Sequence, residues 1–204
     1  MLRVADRVAS TLAEGPGVRY AIWLQGCSLR CAGCCNPALL DPAGGSLVSV
    51  AALLGELAAE RGAIEGVSVL GGEPFDQAAA LAAFVSGARA LGLGTIVFTG
   101  FTLEELRARR DAATDAVLDD TDLLIDGPFV AGASERLRRF VGSANQRFHY
   151  LTDRYDPSIE RATETTPDFT VEVEIRPEGT TTLHGWPEAL ESLRDDQSRI
   201  KPAN

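Results

Sequence analysis

The chain has 204 residues, of which 45% are hydrophobic and 24% charged, and its formal net charge is -10. These values predict one folded domain with a sizeable core and exclude a collagen-like rod, a coiled coil and a largely disordered chain. The negative charge disfavours broad binding to nucleic-acid phosphates. No apolar run approaches the roughly 18 residues of a membrane span, and the amino terminus lacks the apolar core of a secretory signal. We therefore expect a cytoplasmic protein with no nucleic-acid and no membrane partner.

The cysteines are confined to one short segment of the chain. A disulfide framework joins distant segments and is typical of small secreted domains, so this clustering indicates reduced thiols that bind a metal. The four residues are Cys27, Cys31, Cys34 and Cys35.

Two kinds of metal site fit the cysteine segment. A structural zinc ion needs four ligands around one point, and the fourth would be Cys35, His149 or His184. Adjacent cysteines diverge from one backbone, which makes joint ligation of one ion awkward. A 4Fe-4S cluster held by the first three thiolates would instead keep one iron open for a substrate or cofactor. We favour the cluster, with Cys35 as a non-ligand.

Strands and helices are predicted to alternate along the first two thirds of the chain. Thr102 followed by Glu105 forms a capping box, and Asp76 is expected to cap the helix before it. Each glycine-rich or cysteine-rich turn follows a strand, so all should open on the carboxyl edge of a parallel sheet and form a single active site. The predicted elements are strand 18–25, helix 50–60, strand 66–70, helix 76–91, strand 95–98, helix 103–110 and strand 122–126.

The carboxyl-terminal part has a different pattern. Residues 156–168 are polar, carry two prolines and are expected to form a linker or surface loop. Val171, Val173 and Ile175 alternate with charged residues, which predicts a β-hairpin with a return strand over 180–183. A short helix is predicted from Pro187 to about residue 193.

A locally basic stretch covers residues 135–150. We interpret the arginines over 136–139 as the solvated surface of a helix, and Arg147 as the better candidate for a functional role. His149 and His184 are expected to be structural.

Two motifs together resemble the radical S-adenosylmethionine enzymes. The first is the Cys-x-x-x-Cys-x-x-Cys spacing after a strand, and the second is Gly-Gly-Glu-Pro at 71–74 after the next strand. Further segments are similar to glycyl-radical-enzyme activases, and in particular to activating proteins of anaerobic ribonucleotide reductase. They are Glu14 to Arg19, Cys34 to Pro37, Thr99 to Leu106, Asp126 to Phe129 and Gly142 to Arg147.

The resemblance covers roughly residues 1–155 and implies a fold and a chemistry. The fold would be α/β, a partial parallel (β/α) barrel with a C-terminal β-hairpin extension. It divides the chain into a core over 1–155, a loop over 156–168 and a hairpin with a short helix over 169–204. S-adenosylmethionine would bind the open iron and be cleaved reductively, and the resulting radical would take a hydrogen from a glycine of a partner enzyme. That partner would be an anaerobic ribonucleotide reductase, with a flavodoxin- or ferredoxin-type electron donor.

Two alternative functions stay open: a stand-alone radical enzyme acting on a peptide or small metabolite, and a non-catalytic metal-binding interaction module.

The resemblance also implies roles for individual residues. Cluster ligands and catalytic residues would be Cys27, Cys31 and Cys34. Residues contacting S-adenosylmethionine would be Gly33, Cys34, Cys35, Gly71, Gly72, Glu73, Thr99 and Asp126.

Overall fold

The computed structural model describes residues 1–161, 170–175 and 181–185. The helix predicted after Pro187 and most of the predicted loop over 156–168 lie outside them. Among the described residues, no helix is both long enough and apolar enough to cross a membrane. The elements are β1 (Leu2–Thr11), β2 (Arg19–Leu24), β3 (Ser46–Val48), α1 (Val50–Glu60), β4 (Gly66–Gly71), α2 (Ala78–Ala90), β5 (Gly94–Phe98), α3 (Leu103–Ala108), α4 (Ala112–Asp119), β6 (Leu123–Asp126), β7 (Arg147–Tyr150), β8 (Val171–Ile175) and β9 (Thr181–Gly185).

A seven-stranded sheet forms the centre, in the order β3-β1-β2-β4-β5-β6-β7. The inner strands β2, β4, β5 and β6 run parallel, and β1, β3 and β7 pair antiparallel at the two sides. The α/β class and the mostly parallel sheet are therefore confirmed. β8 and β9 form a separate antiparallel hairpin, with Val171 opposite Gly185.

Each inner strand buries both of its faces, in two different environments. Ile22, Val69, Val97 and other residues of alternate positions pack with α1, α2 and α4 in the main apolar core. The intervening positions, such as Trp23, point to the other face of the sheet. Because successive side chains alternate, one face of the sheet is covered by helices and the other carries two smaller apolar clusters.

The start of the second helix differs from the prediction. Residues 74–77 form a 3-10 turn, and α2 begins only at Ala78. The carboxylate of Glu73 caps this turn by accepting from Phe75 N at 2.9 Å. Asp76 does not cap the helix, because its two oxygens accept from the N–H and the hydroxyl of Ser28, each at 2.8 Å. The capping box of Thr102 and Glu105 is confirmed.

The prediction of a helix over 136–139 is wrong. This segment is irregular because the carboxylate of Glu135 accepts from the backbone N–H groups of residues 136, 137 and 138 at 2.8 to 3.3 Å, which competes with helical hydrogen bonding. Arg138 pairs with the same carboxylate at 2.7 Å. Arg139 is buried rather than solvated.

A buried arginine closes the amino ends of the parallel strands. The guanidinium of Arg19 donates to Ser68 Oγ at 2.6 Å, to Tyr155 Oη at 2.8 Å and to backbone carbonyls of β4 and β5. Burial lowers the pKa of this arginine. The side chain of Arg19 therefore fills the space between the amino ends of β2, β4 and β5.

Candidate functional site

A cavity of about 310 Å³ lies at the carboxyl ends of the parallel strands. Its walls include residues of the turns that follow β2, β4, β5 and β6, so the glycine-rich and cysteine-rich turns do meet at one edge of the sheet. Gly33 and Asp126 are not among the described residues that line it. Predicted site residues that line it are Cys27, Cys31, Cys34, Cys35, Gly71, Gly72, Glu73 and Thr99.

The cysteine loop begins where β2 ends, and its four thiols are free. Burial raises the pKa of Cys27, and hydrogen bonds from the backbone N–H groups of Arg30 and Leu29 partly offset this effect. The N–H of Asn36 donates to Cys34 Sγ at 3.4 Å. Backbone donors aimed at thiolate sulfurs are a feature of iron–sulfur sites, where they influence the reduction potential.

The adjacent pair Cys34 and Cys35 is unequal. The thiol of Cys35 donates a hydrogen bond to Cys34, which lowers the pKa of Cys34 to about 6 and raises that of Cys35. Cys34 is therefore the more readily deprotonated thiol of the pair. That Cys34 is a cluster ligand and Cys35 is not stays a prediction.

The cysteine loop brings three of its thiols to one cavity. A 4Fe-4S cube is held at separate iron corners by thiolates, and Cys27, Cys31 and Cys34 surround the same cavity.

The Gly-Gly-Glu-Pro turn is attached to the start of the cysteine loop. Gly72 N donates to Leu24 O at 2.7 Å, and Glu73 N donates to Gly26 O at 2.8 Å. Gly71 has a φ of 115°, which favours glycine. A Cβ on Gly72 would overlap the carbonyl oxygen of Gly26. The turn therefore requires glycine in order to lie this close to the residue before Cys27.

The carboxylate of Glu73 is fully engaged with the protein. One oxygen accepts from Phe75 N at 2.9 Å and from Thr99 Oγ1 at 2.8 Å, and the other accepts from Gly100 N at 2.9 Å. Burial raises the pKa of Glu73 to about 7. Glu73 and Thr99 thus fix the turns after β4 and β5 relative to each other.

Asp126 lies behind the cavity wall. Its carboxylate is fully buried and accepts from Leu103 N at 2.6 Å and from Arg147 Nη2 at 2.6 Å, while His149 Nε2 lies 2.9 Å away. Arg147 also pairs with Glu104 at 2.6 Å. The structure therefore places Asp126 and Arg147 in a network that joins β6 and β7 to the start of α3.

Comparison with known proteins identifies the family to which this chain belongs. Residues 13–149 match the model of a 4Fe-4S single cluster domain. The anaerobic ribonucleoside-triphosphate reductase-activating protein of Escherichia coli strain K12 is 30% identical over 147 residues, which cover 69% of this chain and 93% of the relative. The chain belongs to the glycyl-radical-enzyme activases of the radical S-adenosylmethionine family.

Two further relatives agree with this assignment. The anaerobic ribonucleoside-triphosphate reductase-activating protein of Vibrio cholerae is 28% identical over 148 residues, covering 69% of this chain and 93% of the relative. The pyruvate formate-lyase 1-activating enzyme of Escherichia coli strain K12 is 32% identical over 117 residues, covering 55% of this chain and 46% of the relative. The activase is thus an enzyme of the oxidoreductase type with an iron–sulfur centre.

The hairpin of the activase lies beyond the matched region and contributes to the cavity. Gly185 N donates to Glu14 Oε1 at 2.9 Å. Glu172 accepts from Leu12 N at 2.8 Å and from the hydroxyl of Thr11. Glu14 and Gly185 both line the cavity. Sequence reasoning assigned no role to Glu14, although it opens the Glu-Gly-Pro-Gly segment.

Aromatic side chains form much of the remaining wall. They are contributed by two strands and by the segment after β6. Apart from Phe129, which ends the family-like segment Asp126 to Phe129, sequence reasoning did not single them out, since isolated aromatic residues carry no motif. They are Trp23, Phe98, Phe129 and Phe140.

Proposed function

We propose that the activase binds S-adenosylmethionine at a 4Fe-4S cluster held by Cys27, Cys31 and Cys34 and uses it to create a glycyl radical on a partner enzyme. The observation that carries this proposal is the junction of the two motifs, in which Glu73 N donates to Gly26 O directly before the first cysteine. When bound, the reduced cluster supplies the electron that splits the sulfonium into methionine and a 5′-deoxyadenosyl radical, which then takes a hydrogen atom from a glycine.

The chain's own residues position the substrate. Because the carboxylate of Glu73 is already bound by Thr99, Gly100 and Phe75, we assign the backbone of the turn at 71–73 to the methionyl ammonium. Glu73 then acts as the residue that orients this backbone. Thr99 has the same supporting role, and Asp126 supports the wall from behind.

The aromatic wall suits the adenosine part of the substrate. Trp23 and Phe98 come from the sheet, and Phe129 and Phe140 come from the segment opposite. Apolar rings pack on adenine and keep water away from a reactive radical. Gly33 and Cys35 are assigned to the adenine side of the cysteine loop. We take the sheet to curve around this cavity as the partial (β/α) barrel of the family.

The relatives favour anaerobic ribonucleoside-triphosphate reductase as the partner. The chain covers 93% of the reductase-activating protein but only 46% of the pyruvate formate-lyase activating enzyme. We propose a cytoplasmic enzyme without nucleic-acid or membrane partners, in keeping with its net charge of -10 and its free thiols.

The test is anaerobic reconstitution with iron and sulfide, followed by reduction with dithionite in the presence of S-adenosylmethionine and assay of 5′-deoxyadenosine. We expect about four irons per chain, with cluster and product lost in Cys27→Ala, Cys31→Ala and Cys34→Ala. The matched control is Cys35→Ala, which should keep its iron. Zinc in place of iron, or no product from a full cluster, would overturn the enzyme assignment in favour of an interaction module.

A second step tests the partner. The reduced activase is mixed with purified anaerobic ribonucleoside-triphosphate reductase and S-adenosylmethionine, and the glycyl radical is measured by electron paramagnetic resonance. A radical on the reductase supports the proposal. Product formation that never yields a protein radical, on either the reductase or pyruvate formate-lyase, would favour a stand-alone enzyme.

A further inference from the structure

The hairpin of β8 and β9 lies over the face of the sheet that carries the cavity. Leu70 lines the cavity, and Ser68, two residues earlier in β4, is on the same face. Ser68 Oγ donates to the carbonyl oxygen of Glu14 at 2.6 Å, and Glu14 Oε1 accepts from Gly185 N at 2.9 Å. Glu14 therefore links this face of the sheet to the hairpin, on the side of the cavity nearer the amino ends of the strands.

The base of the hairpin borders the cavity. Val171 pairs with Gly185 at this base, and Thr170 and Gly185 both line the cavity. A Cβ on Gly185 would overlap the carbonyl oxygen of Thr170, so the two chain segments meet closely here. Further along β8, Val173 is 56% exposed and Ile175 is 74% exposed. The cavity is thus in contact with the backbone at the base of the hairpin.

Two carboxylates attach the hairpin to the segment after β1. Glu14 accepts from Gly185 N, and Glu172 accepts from Leu12 N at 2.8 Å and from the hydroxyl of Thr11. Glu14 lines the cavity, whereas Glu172 is not among the described residues that line it. The two attachments therefore differ in one useful respect, because Glu172 can affect the cavity only through the hairpin.

The hairpin lies outside the part of the chain that defines the family. The family match covers residues 13–149, and β8 begins at Val171. This side of the cavity is therefore formed by a segment that the family match does not include.

We propose that the hairpin is a wall of the S-adenosylmethionine site, and that Glu14 and Glu172 are the positioning residues that hold it there. The wall encloses the substrate on the side away from the strand ends, opposite the cysteine loop. This inference rests on the proposed function, because it concerns the molecule that we propose for the cavity.

A wall of this kind increases the affinity for a small molecule. Ligand sites bury most of the surface of their ligand, and a wall that is already in place does not have to be ordered when the ligand binds. When its attachment is lost, the hairpin must be brought back at a cost in binding free energy. Loss of either attachment should therefore weaken the binding of S-adenosylmethionine.

The experiment measures the dissociation constant of S-adenosylmethionine by equilibrium dialysis. It uses the reconstituted activase with its cluster oxidised, so that the substrate is bound but not cleaved. We expect the dissociation constant to rise roughly tenfold in Glu14→Ala and in Glu172→Ala, in proportion to the loss of hydrogen bonds to a carboxylate. Glu14→Gln keeps an oxygen that can accept from Gly185 N and should stay closer to the wild type.

The matched control is Val173→Ala, which changes an exposed side chain next to Glu172 on the same strand and should leave the dissociation constant unchanged. Weaker binding in the Glu14 variants alone would indicate a direct contact of Glu14 with the substrate and would overturn the wall. A purely structural role would lower the number of binding sites per chain at an unchanged dissociation constant, and that result would overturn it too.

A measurement without the cluster separates this inference from the proposed function. Trp23 lines the cavity and is 9% exposed, and Trp186→Phe removes the other tryptophan of the chain. In this background, quenching of Trp23 fluorescence by acrylamide should increase in Glu14→Ala and Glu172→Ala and stay constant in Val173→Ala. Unchanged quenching in all variants contradicts only the wall, whereas a wild-type protein that binds no S-adenosylmethionine contradicts the proposed function.

Discussion

The carboxylate of Glu73 accepts a hydrogen bond from the hydroxyl of Thr99 at 2.8 Å, across the gap between the ends of β4 and β5. Its other oxygen accepts from Gly100 N at 2.9 Å. A buried carboxylate is tolerated only when donors surround it, and Glu73 is 1% exposed. One side chain therefore joins two walls of the cavity.

Replacing this side chain should destabilise the whole domain. Glu73→Ala leaves the hydroxyl of Thr99 and the N–H groups of Gly100 and Phe75 without their acceptor. We expect the free energy of unfolding to fall by about 2–4 kcal/mol, measured by urea denaturation of the cluster-free protein. Asp153→Ala, at an exposed position, should leave it unchanged. A loss below about 1 kcal/mol in Glu73→Ala would show that water replaces the carboxylate.

Gly72→Ala should slow the reaction, whereas Gly55→Ala should not. In Gly72→Ala the new methyl group overlaps the carbonyl oxygen of Gly26, so the turn must move away from Cys27. A displacement of about 1 Å can reduce a rate about a hundredfold, and we expect a loss of that order in 5′-deoxyadenosine formation per cluster.

The control is a glycine with free space around it. No atom lies within 4 Å of a Cβ built on Gly55, and this residue is inside α1. Gly55→Ala should raise the free energy of unfolding by about 0.5–1 kcal/mol and keep the wild-type rate. A wild-type rate in Gly72→Ala would mean that the turn relaxes without cost.

Titration of Glu14 should lower the stability as the pH rises through neutrality, against the opposite contribution of Cys34, whose pKa is lowered to about 6. Burial raises the pKa of Glu14 to about 7 from its usual 4.5, so between these values the folded state binds more protons than the unfolded state. The free energy of unfolding therefore falls as the pH rises through this window. Glu73 acts in the same direction. The pKa values of Glu104 and Glu135 are lowered to about 2, so these residues act only at lower pH.

The measurement is urea denaturation of the cluster-free protein at several pH values between about 5 and 8. Glu14→Gln should show a shallower decline than the wild type, because the glutamine does not titrate. Asp153→Asn should follow the wild type. Identical slopes in Glu14→Gln and the wild type would show that Glu14 titrates normally.

The hairpin should depend on Glu172 for its attachment to the domain. Glu172→Ala removes the acceptor for Leu12 N and for the hydroxyl of Thr11. Hydrogen bonds to a charged group contribute about 1.5–3 kcal/mol, so limited proteolysis beyond residue 161 should become at least roughly tenfold faster. Val173→Ala changes the neighbouring, exposed side chain and should have little effect. Equal cleavage rates in the two variants would argue against this anchor.

The predictable part of the fold is the part that is buried on both sides. β4, β5 and β6 are short apolar runs, as inner parallel strands usually are, and Thr102 with Glu105 marks the start of α3. β1 was not predicted, because Arg3, Asp6 and Arg7 interrupt its apolar pattern. β3 and β7 have only three and four residues, which is too short for an alternation to be recognised.

The candidate site also has a part that could be predicted from the sequence and a part that could not. The cysteine spacing and the Gly-Gly-Glu-Pro turn are local patterns, so their meeting at one edge of the sheet could be predicted. The partner of Asp126 could not be predicted, because Arg147 lies on the unpredicted strand β7. The contact of Gly185 with Glu14 joins residues 171 positions apart, and no short motif encodes such a distance.

The hydrogen bond from Arg19 to Tyr155 links the start of β2 to a residue beyond the family match. The family match ends at residue 149, whereas Tyr155 and Ile159 pack against the buried residues Ile96, Leu123 and Ile125. A fragment that stops at the family boundary would leave a buried guanidinium without one of its acceptors and would uncover one side of β5 and β6. We therefore expect the unit that folds cooperatively to extend about ten residues past the unit recognised by sequence comparison, so that a minimal activase should end no earlier than residue 160.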